Sequence, residues 1–174
     1  CEKTFNNLKA NSHKWRSSSN WDRAITRDYY IGVFDCGNPN PTGMISESAF
    51  QNKLNKVKTV HDHCLSPQFV GRMIMDNQDK YLSDYETFRE TFWYSCQTII
   101  VTQRENECLS DLTSHRDEKY QVLVPTNMKY NHLNIFLYKR DQGRTQWKYA
   151  KQIESNILDV PKELLEYEKQ YLTN

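Results

Sequence analysis

The segment TIIVTQRE, residues 98–105, constrains the fold of this chain more than any other stretch. Its first half is a short apolar run with β-branched residues, which favours a strand. Thr102 follows at once and Glu105 stands three residues later, which is the spacing of a capping box at a helix start. The sequence therefore predicts a strand that passes directly into a helix beginning at residue 103. We expect Glu105 to have no role beyond closing this box.

Length and composition indicate a single domain over residues 1–174. The chain is long enough to bury one sizeable core, and its 13% aromatic content is too high for a disordered chain. Because 23 basic residues nearly balance 22 acidic ones, any surface that binds nucleic acid must be local. No apolar stretch approaches the roughly 18 residues that cross a bilayer, and the start lacks a secretory signal. We therefore expect a soluble, cytoplasmic protein without a membrane partner.

Local patterns predict a mixed α+β architecture. Residues 1–27 are polar and contain a serine run, so we expect an irregular amino-terminal arm. Strands are predicted at 29–34, 57–64, 68–77, 98–102, 120–125 and 134–140. One helix is predicted after a Ser46 cap, a second at 84–95 after a Ser83–Glu86 capping box, and a third from residue 103. A basic connector and a closing helix that begins behind Pro161 make up a carboxy-terminal segment, residues 139–174.

The cysteines argue against both a disulfide framework and a zinc knuckle. Their number is odd, and none of them forms a Cys-x-x-Cys pair. We expect them to be mostly reduced thiols of the core. They are Cys1, Cys36, Cys64, Cys96 and Cys108.

The triplet His61-Asp62-His63 ends the strand predicted at 57–64. Together with IIVTQREN, residues 99–106, it resembles the HNH or His-Me finger nucleases, in which a β-hairpin bears Asp-His and the next helix begins with Asn or His. The resemblance covers about residues 56–113. It implies a ββα-metal core in which the helix at 84–95 is an insertion.

The resemblance implies a metal-dependent DNA endonuclease. It makes His63 the general base, and Asp62 and Asn106 the ligands of one Mg²⁺ or Mn²⁺ ion. A neutral imidazole with a pKa near 6.5 can take a proton from water at pH 7. A hard cation prefers carboxylate and amide oxygens and would neutralise charge on the scissile phosphate and the leaving 3′ oxygen. The expected products carry 5′-phosphate and 3′-hydroxyl ends.

Two residues leave alternatives open at this site. Asn77 can orient the general base, or it can replace Asn106 as the distal ligand, in a register where DHCLSPQFVGRMIMDN resembles Holliday-junction-resolving relatives. His61 is a further candidate orienting residue or ligand. We nevertheless expect His61 to point away from His63 and to be solvated or in contact with a phosphate.

A basic connector, KRDQGRTQWKYAK at residues 139–151, contains five basic residues, one acidic residue and interleaved aromatic residues. Such a segment can follow phosphates and stack on bases, although an ordinary solvated surface has the same composition. Two further arginines stand near the proposed site in sequence and are candidates to clamp the phosphate. The predicted DNA contacts are Arg72, Arg104, Lys139, Arg140, Arg144, Trp147 and Lys148.

The function predicted from the sequence is therefore site-specific cleavage of double-stranded DNA in restriction, homing or nicking. The compact layout favours an origin in a phage, a mobile element or a restriction system. Cutting both strands of a palindrome would favour a homodimer. The main alternative is a non-catalytic nucleic-acid-binding or assembly protein that uses the basic aromatic segments. A third is an RNA-directed nuclease with the same core.

Overall fold

A computed structural model describes residues 1–15, 20–36, 42–114, 121–141 and 146–172. In chain order the helices are α1 (Glu2–Asn11), α2 (Asn20–Asp35), α3 (Glu47–Leu54), α4 (Pro67–Asp76), α5 (Gln78–Tyr81), α6 (Tyr85–Ser95), α7 (Gln103–Ser110), α8 (Lys129–His132) and α9 (Lys162–Glu168). The strands are β1 (Met44–Ser46), β2 (Val60–His63), β3 (Thr98–Val101), β4 (Thr113–Ser114), β5 (Gln121–Val122), β6 (Leu137–Lys139) and β7 (Lys151–Gln152). The predicted α+β class is confirmed. Within the described ranges no helix is both long enough and apolar enough to span a membrane.

The chain divides into two compact units. We call Cys1–Pro39 with Leu65–Gln97 the helical unit, and Asn40–Cys64 with Thr98–Asn174 the sheet unit. The second segment of the helical unit carries α4, α5 and α6 and lies in the chain between strands β2 and β3. The predicted helix at 84–95 is therefore one of three helices inserted between these strands. The prediction of a single domain stays a prediction.

Residues 29–34, predicted as a strand, belong to helix α2. Ile25, Tyr29 and Val33 are buried, and their spacing of four residues places them on one face of a helix. Helix α2 contacts both α1 and α4 within the helical unit. Aromatic and β-branched composition favoured a strand locally, but burial of the helical face determines the conformation.

The strand predicted at 68–77 is also wrong, because these residues form most of helix α4. Pro67 occupies the first turn, where the missing N–H of proline leaves no helical hydrogen bond unmade. Close approach of α4 to α2 is possible at Gly71, since a Cβ there would lie 3.1 Å from the Tyr29 ring. The buried residues follow a helical spacing and include Phe69, Val70, Met73 and Ile74.

The expectation of an irregular arm at residues 1–27 is wrong for the part that the structure describes. Helix α1 buries Thr4, Phe5 and Leu8 on one face. The Phe5 ring packs edge-on against Tyr85, with ring centroids 5.3 Å apart. These few apolar side chains are enough to fix a helix whose overall composition is polar, because they are spaced for one face.

Helix α6 confirms the helix predicted at 84–95 but not its predicted cap. Asp84 is the N-cap, and its carboxylate accepts a hydrogen bond of 2.8 Å from the Thr87 backbone N–H. The Ser83 hydroxyl instead donates to the Lys80 carbonyl oxygen at 3.2 Å. A carboxylate is favoured at this position because it accepts hydrogen bonds and complements the positive helix terminus.

The sheet unit contains a five-stranded mixed sheet with strand order β2-β3-β1-β6-β7. Strands β1 and β3 are parallel, and the other neighbouring pairs are antiparallel. Strands β4 and β5 form a separate antiparallel pair. The strands predicted at 57–64, 98–102, 120–125 and 134–140 are confirmed, because they contain β2, β3, β5 and β6.

Helix α3 covers the centre of this sheet. Its N-cap is Ser46, as predicted, and the Ser46 hydroxyl accepts a 3.1 Å hydrogen bond from the Ala49 N–H. Apolar side chains of α3, β1, β3, β6 and the connector meet in one cluster of Ile45, Ala49, Ile100, Phe50, Tyr138 and Trp147. The predicted closing helix is confirmed as α9, which begins directly after Pro161.

All five cysteines are free thiols. Cys64 and Cys96 are buried, whereas Cys36 and Cys108 are exposed. Burial raises the pKa of the Cys64 thiol to about 12. The expectation of core thiols is therefore confirmed for two of the five cysteines.

We predict that Gly32→Ala destabilises the protein. A Cβ at position 32 would overlap the side chain of the buried Thr4, so α1 and α2 would have to move apart. Overpacking of this kind costs about 1–3 kcal/mol, which should be seen in the free energy of unfolding in urea. Asp28→Ala, at an exposed position of α2, is the control. Thr4→Ala in the Gly32→Ala background should restore part of the loss, and an unchanged midpoint for Gly32→Ala would contradict this close packing.

Candidate functional site

Strand β2 places the histidine triplet at an edge of the sheet. Among the described strands it pairs only with β3, in the register His61↔Ile100, Asp62↔Ile99 and His63↔Thr98. Every residue of β3 is buried, while those of β2 are half-buried. A fully buried strand therefore supports the triplet from one side.

His61 and His63 lie on the same face of β2, so the expectation that His61 points away from His63 is wrong. Residues two apart on a strand share a face. The structure agrees, because Nδ1 of His61 is 2.9 Å from the Thr98 hydroxyl oxygen, and Thr98 is the register partner of His63. His61 is thus tied to the neighbouring strand, and its predicted contact with a phosphate stays a prediction.

Burial lowers the pKa of His63 below the 6.5 of an ordinary histidine. The nearby Asp62 carboxylate opposes this shift, whereas the positive charge of Lys129 adds to it. Burial also lowers the pKa of His61, with a smaller contribution from Lys53. The His63 imidazole is therefore neutral at pH 7, which is the state that a general base requires.

The Asp62 carboxylate is held by two residues from a distant part of the chain. Lys129 Nζ lies 2.7 Å from Asp62 Oδ2, and the Tyr130 hydroxyl donates a hydrogen bond to the same oxygen. The side chains of Asp62 and Lys129 are 13% and 12% exposed, so little water screens the pair. Burial, followed by the charge of Asp62, raises the pKa of Tyr130 well above its usual value. Tyr130 therefore stays protonated and donates to Asp62.

Lys129 also fixes the backbone of the candidate base. Its Nζ donates to the His63 carbonyl oxygen at 2.7 Å, in addition to its contact with Asp62. The ammonium lies 5.1 Å from the centroid of the Tyr130 ring. One lysine thus joins the side chain of Asp62, the main chain of His63 and the ring of its own neighbour.

A buried glutamate organises the turn that precedes Lys129. Glu168, in α9, is 2% exposed and accepts a 2.9 Å hydrogen bond from the Thr126 N–H. The Thr126 hydroxyl donates to the other carboxylate oxygen. Burial raises the pKa of Glu168, while the two hydrogen bonds from Thr126 and the charge of Lys129 oppose the shift. The position of the lysine therefore depends on a contact with the carboxy-terminal helix.

The predicted capping box at the start of α7 is confirmed. The Thr102 hydroxyl accepts from the Glu105 N–H at 3.2 Å, and Glu105 Oε2 accepts from the Thr102 N–H at 2.8 Å. The same carboxylate oxygen accepts a hydrogen bond of 2.7 Å from the Ser46 hydroxyl. The expectation that Glu105 only closes its own box is therefore wrong, because Glu105 also orients the cap of α3.

Helix α7 follows β3 without a loop and contacts β2. Asn106 lies in its first turns, is half-buried, and donates its backbone N–H to the Thr102 carbonyl at 3.0 Å. Among the described residues, no hydrogen bond joins the Asn106 amide side chain to Asp62 or His63. The structure thus brings the helix of Asn106 against the strand of His63, and the role of Asn106 as a metal ligand stays a prediction. Arg104 is exposed in the same first turn.

Asn77 and Arg72 belong to the helical unit and not to the sheet unit. Asn77 ends helix α4, where its side-chain amide donates to the Met73 carbonyl at 2.9 Å. Arg72 is half-buried in α4. The capping contact gives Asn77 a structural role within its own helix, and the suggested roles of Asn77 and Arg72 in catalysis stay predictions.

The described part of the basic connector lies on the β6–β7 edge of the sheet. Arg140 lies over the Trp147 ring at 4.5 Å, and Lys148 Nζ lies 5.0 Å from the Tyr149 ring centroid. The Trp147 ring also packs on the core below α3, so it fixes the connector to the sheet. Arg144, a further predicted contact, lies outside the described residues.

Two lysines face each other across this edge. Lys139 of β6 is the register partner of Lys151 of β7, and both side chains are exposed. Within the described ranges neither lysine forms an ion pair with a carboxylate. Like charges directly opposite each other destabilise a strand pair, so an anion bound here would remove an existing repulsion.

The predicted metal donors have suitable chemistry, since Asp62 and Asn106 offer oxygens that Mg²⁺ prefers. The Asp62 carboxylate, however, is already paired with the Lys129 ammonium. Among the residues that the structure describes, no group of three His, Cys, Asp or Glu side chains is arranged to hold a metal ion. As arranged, these residues do not fit an ion bound mainly through Asp62, and the metal site stays a prediction.

No pattern in the sequence pointed to Lys129, Tyr130 or Glu168 as site residues. Lys129 and Tyr130 stand in a polar stretch without periodicity, 67 and 68 residues after Asp62. A conserved pairing across homologous sequences would be one signal for such a contact. Comparison with protein-family models, with curated proteins and with solved structures finds no match to this chain.

We predict that Glu168→Gln stabilises the protein more at high pH than at low pH. The pKa of Glu168 is raised on folding, so the protonated carboxyl favours the native state below its unfolded pKa of 4.5. That contribution is lost as the pH rises through the folded pKa. A glutamine carries no charge at any pH and keeps an oxygen acceptor for Thr126.

The measurement is the free energy of unfolding of both proteins in urea at about pH 4 and about pH 8. The stability difference in favour of Glu168→Gln should grow between these two values. Glu154→Gln, which replaces an exposed carboxylate, serves as the control. A difference that stays constant with pH would contradict the raised pKa of Glu168.

Proposed function

We propose that this protein is an endonuclease that hydrolyses phosphodiester bonds of DNA, with His63 as the general base. The observation that supports this most is the environment of His63. Its imidazole is kept neutral by burial and its main chain is anchored by Lys129. The antiparallel pair β2–β3 leads directly into α7, which contacts β2. This strand–strand–helix order agrees with the nuclease resemblance of residues 56–113.

The proposed reaction uses water as the nucleophile. His63 accepts a proton from the water while the water oxygen bonds to phosphorus and the bond from phosphorus to the 3′ oxygen breaks. The departing alkoxide takes a proton from solvent, and the imidazolium returns its proton to solvent. Arg104, exposed in the first turn of α7, is the proposed contact to a non-bridging phosphate oxygen, because a guanidinium can bind phosphate through two N–H groups.

The β6–β7 edge is the proposed surface for the DNA backbone. Lys139, Lys151 and Lys148 are exposed there and offer positive charges to successive phosphates. Arg140 is held over the Trp147 ring, which keeps its guanidinium near the same edge. Double-stranded DNA is the proposed substrate, because these contacts address the sugar-phosphate backbone and do not require unpaired bases.

A second candidate function is nucleic-acid binding or assembly without catalysis. The observation that favours it is the opposed pair Lys139–Lys151, which suits a polyanion whether or not the bound strand is cut. In this case the hydrogen bonds around Asp62 and His63 stabilise the sheet edge only. The two candidates differ in whether His63 is needed for turnover.

We predict that His63→Ala lowers the rate of plasmid cleavage by about 10²–10⁴-fold, the contribution of a general base. The rate is measured by conversion of supercoiled plasmid to nicked and linear forms, with and without Mg²⁺. His132→Ala, at an exposed position of α8, is the matched control and should cleave like the wild type. Asn106→Ala should lower the Mg²⁺-dependent rate while DNA binding persists, because the nuclease resemblance makes Asn106 a metal ligand.

Wild-type turnover by His63→Ala would remove the general-base assignment. Failure of the wild-type protein to cut DNA under any of these conditions, with salt-sensitive binding retained, would favour the second candidate. Digestion of matched RNA and DNA by the wild type separates the RNA-directed alternative from the proposed one.

We predict that Lys139→Ala and Lys151→Ala each weaken the binding of duplex DNA to the same extent for any base sequence. Loss of one phosphate contact should reduce the slope of log affinity against log salt by about 1. Fluorescence anisotropy with two unrelated duplexes at several salt concentrations gives this slope. Lys162→Ala, an exposed lysine of α9, should leave the slope unchanged. Wild-type slopes for both β6–β7 variants would show that DNA does not bind at this edge.

A further inference from the structure

The Asp62 carboxylate already has a cation within contact distance. Lys129 Nζ is 2.7 Å from Oδ2, and the Tyr130 hydroxyl donates to the same oxygen. Both partners come from α8, which lies far from β2 in the sequence. The contact is therefore a product of the fold and not of chain proximity.

The cation is also difficult to displace. Lys129 and Asp62 are almost fully removed from solvent, and the same ammonium is bound to the His63 carbonyl at 2.7 Å. The preceding turn at Thr126 is held by the buried Glu168. A divalent ion on Oδ2 would lie next to the ammonium with little water to screen the repulsion between them.

We propose that Lys129 is the resident cation of Asp62, so that in this chain Asp62 anchors a lysine and does not bind a divalent metal ion. The Lys129 ammonium neutralises the carboxylate that the nuclease resemblance assigns to Mg²⁺. Removal of its charge converts the site into one that can bind a divalent ion through Asp62. This inference concerns the counter-ion of Asp62 and does not depend on whether the protein cuts DNA.

The test is titration of the full chain with MnCl₂ by isothermal calorimetry. Wild-type protein should show no binding that depends on Asp62. Lys129→Met keeps the length and apolar stem of the side chain and should bind Mn²⁺ at least about tenfold more tightly than the wild type. Lys162→Met, at an exposed site, should behave like the wild type. The double variant Asp62→Asn with Lys129→Met should lose the new affinity.

Two results would overturn the inference. One is Mn²⁺ binding by the wild type that disappears in Asp62→Asn. The other is absence of binding in a folded Lys129→Met variant, because Lys129 would then not be the group that keeps the ion away. Circular dichroism and a thermal melt establish that each variant is folded.

A measurement on the wild type alone decides the matter if the variants do not fold. Mn²⁺ is paramagnetic, so an ion on Asp62 would broaden the nuclear magnetic resonance signals of the His61 and His63 rings. We expect both signals to keep their widths relative to that of His13, an exposed histidine outside β2 and α8. Selective broadening of the His63 signal would overturn the inference. These experiments measure metal binding and not cleavage. A failure of this inference is therefore distinguishable from a failure of the proposed nuclease function.

Discussion

The ion pair between Asp62 and Lys129 is the interaction on which the candidate site depends. It connects an edge strand to α8, a helix of only four residues whose Tyr130 is fully buried and donates a hydrogen bond to the same carboxylate. Breaking one partner of such a pair leaves an uncompensated charge with little access to water, which is strongly unfavourable. The pair therefore imposes one arrangement of β2 and α8. Through the hydrogen bond from Lys129 to the His63 carbonyl, it also holds the main chain that carries the imidazole.

Signals that act within a few residues were readable from the sequence. The Thr102–Glu105 box and the Ser46 cap each require a side chain and a backbone N–H three residues apart. Both hydrogen-bonding partners therefore lie within the same short stretch of sequence. Residues 29–34 and 68–77 were misread because a short apolar run fits a buried strand and a buried helix equally well. The partners of Asp62 were missed for a different reason, since only tertiary structure brings Lys129 to it.

Glu105 shows how a local signal acquires a wider role. Within α7 it closes a capping box, and across the sheet unit it accepts a hydrogen bond from Ser46, the cap of α3. The starts of two helices are thus set by one carboxylate. The β2–β3 pair, in contrast, joins strands that are far apart in the sequence, because three helices lie in the chain between them. Closing so long a loop costs conformational entropy that the formation of the local helix caps does not require.

The opposed lysines Lys139 and Lys151 have a consequence for self-association. Strand β7 is the last of the described strands in the sheet, and an edge strand presents backbone groups to which a strand of another molecule can add. A second copy that docked there would bring further ammonium groups against an edge that already carries two. The charges therefore protect the open edge from growth into an extended β-structure, which is a form of resistance to aggregation that the polypeptide carries within its own fold.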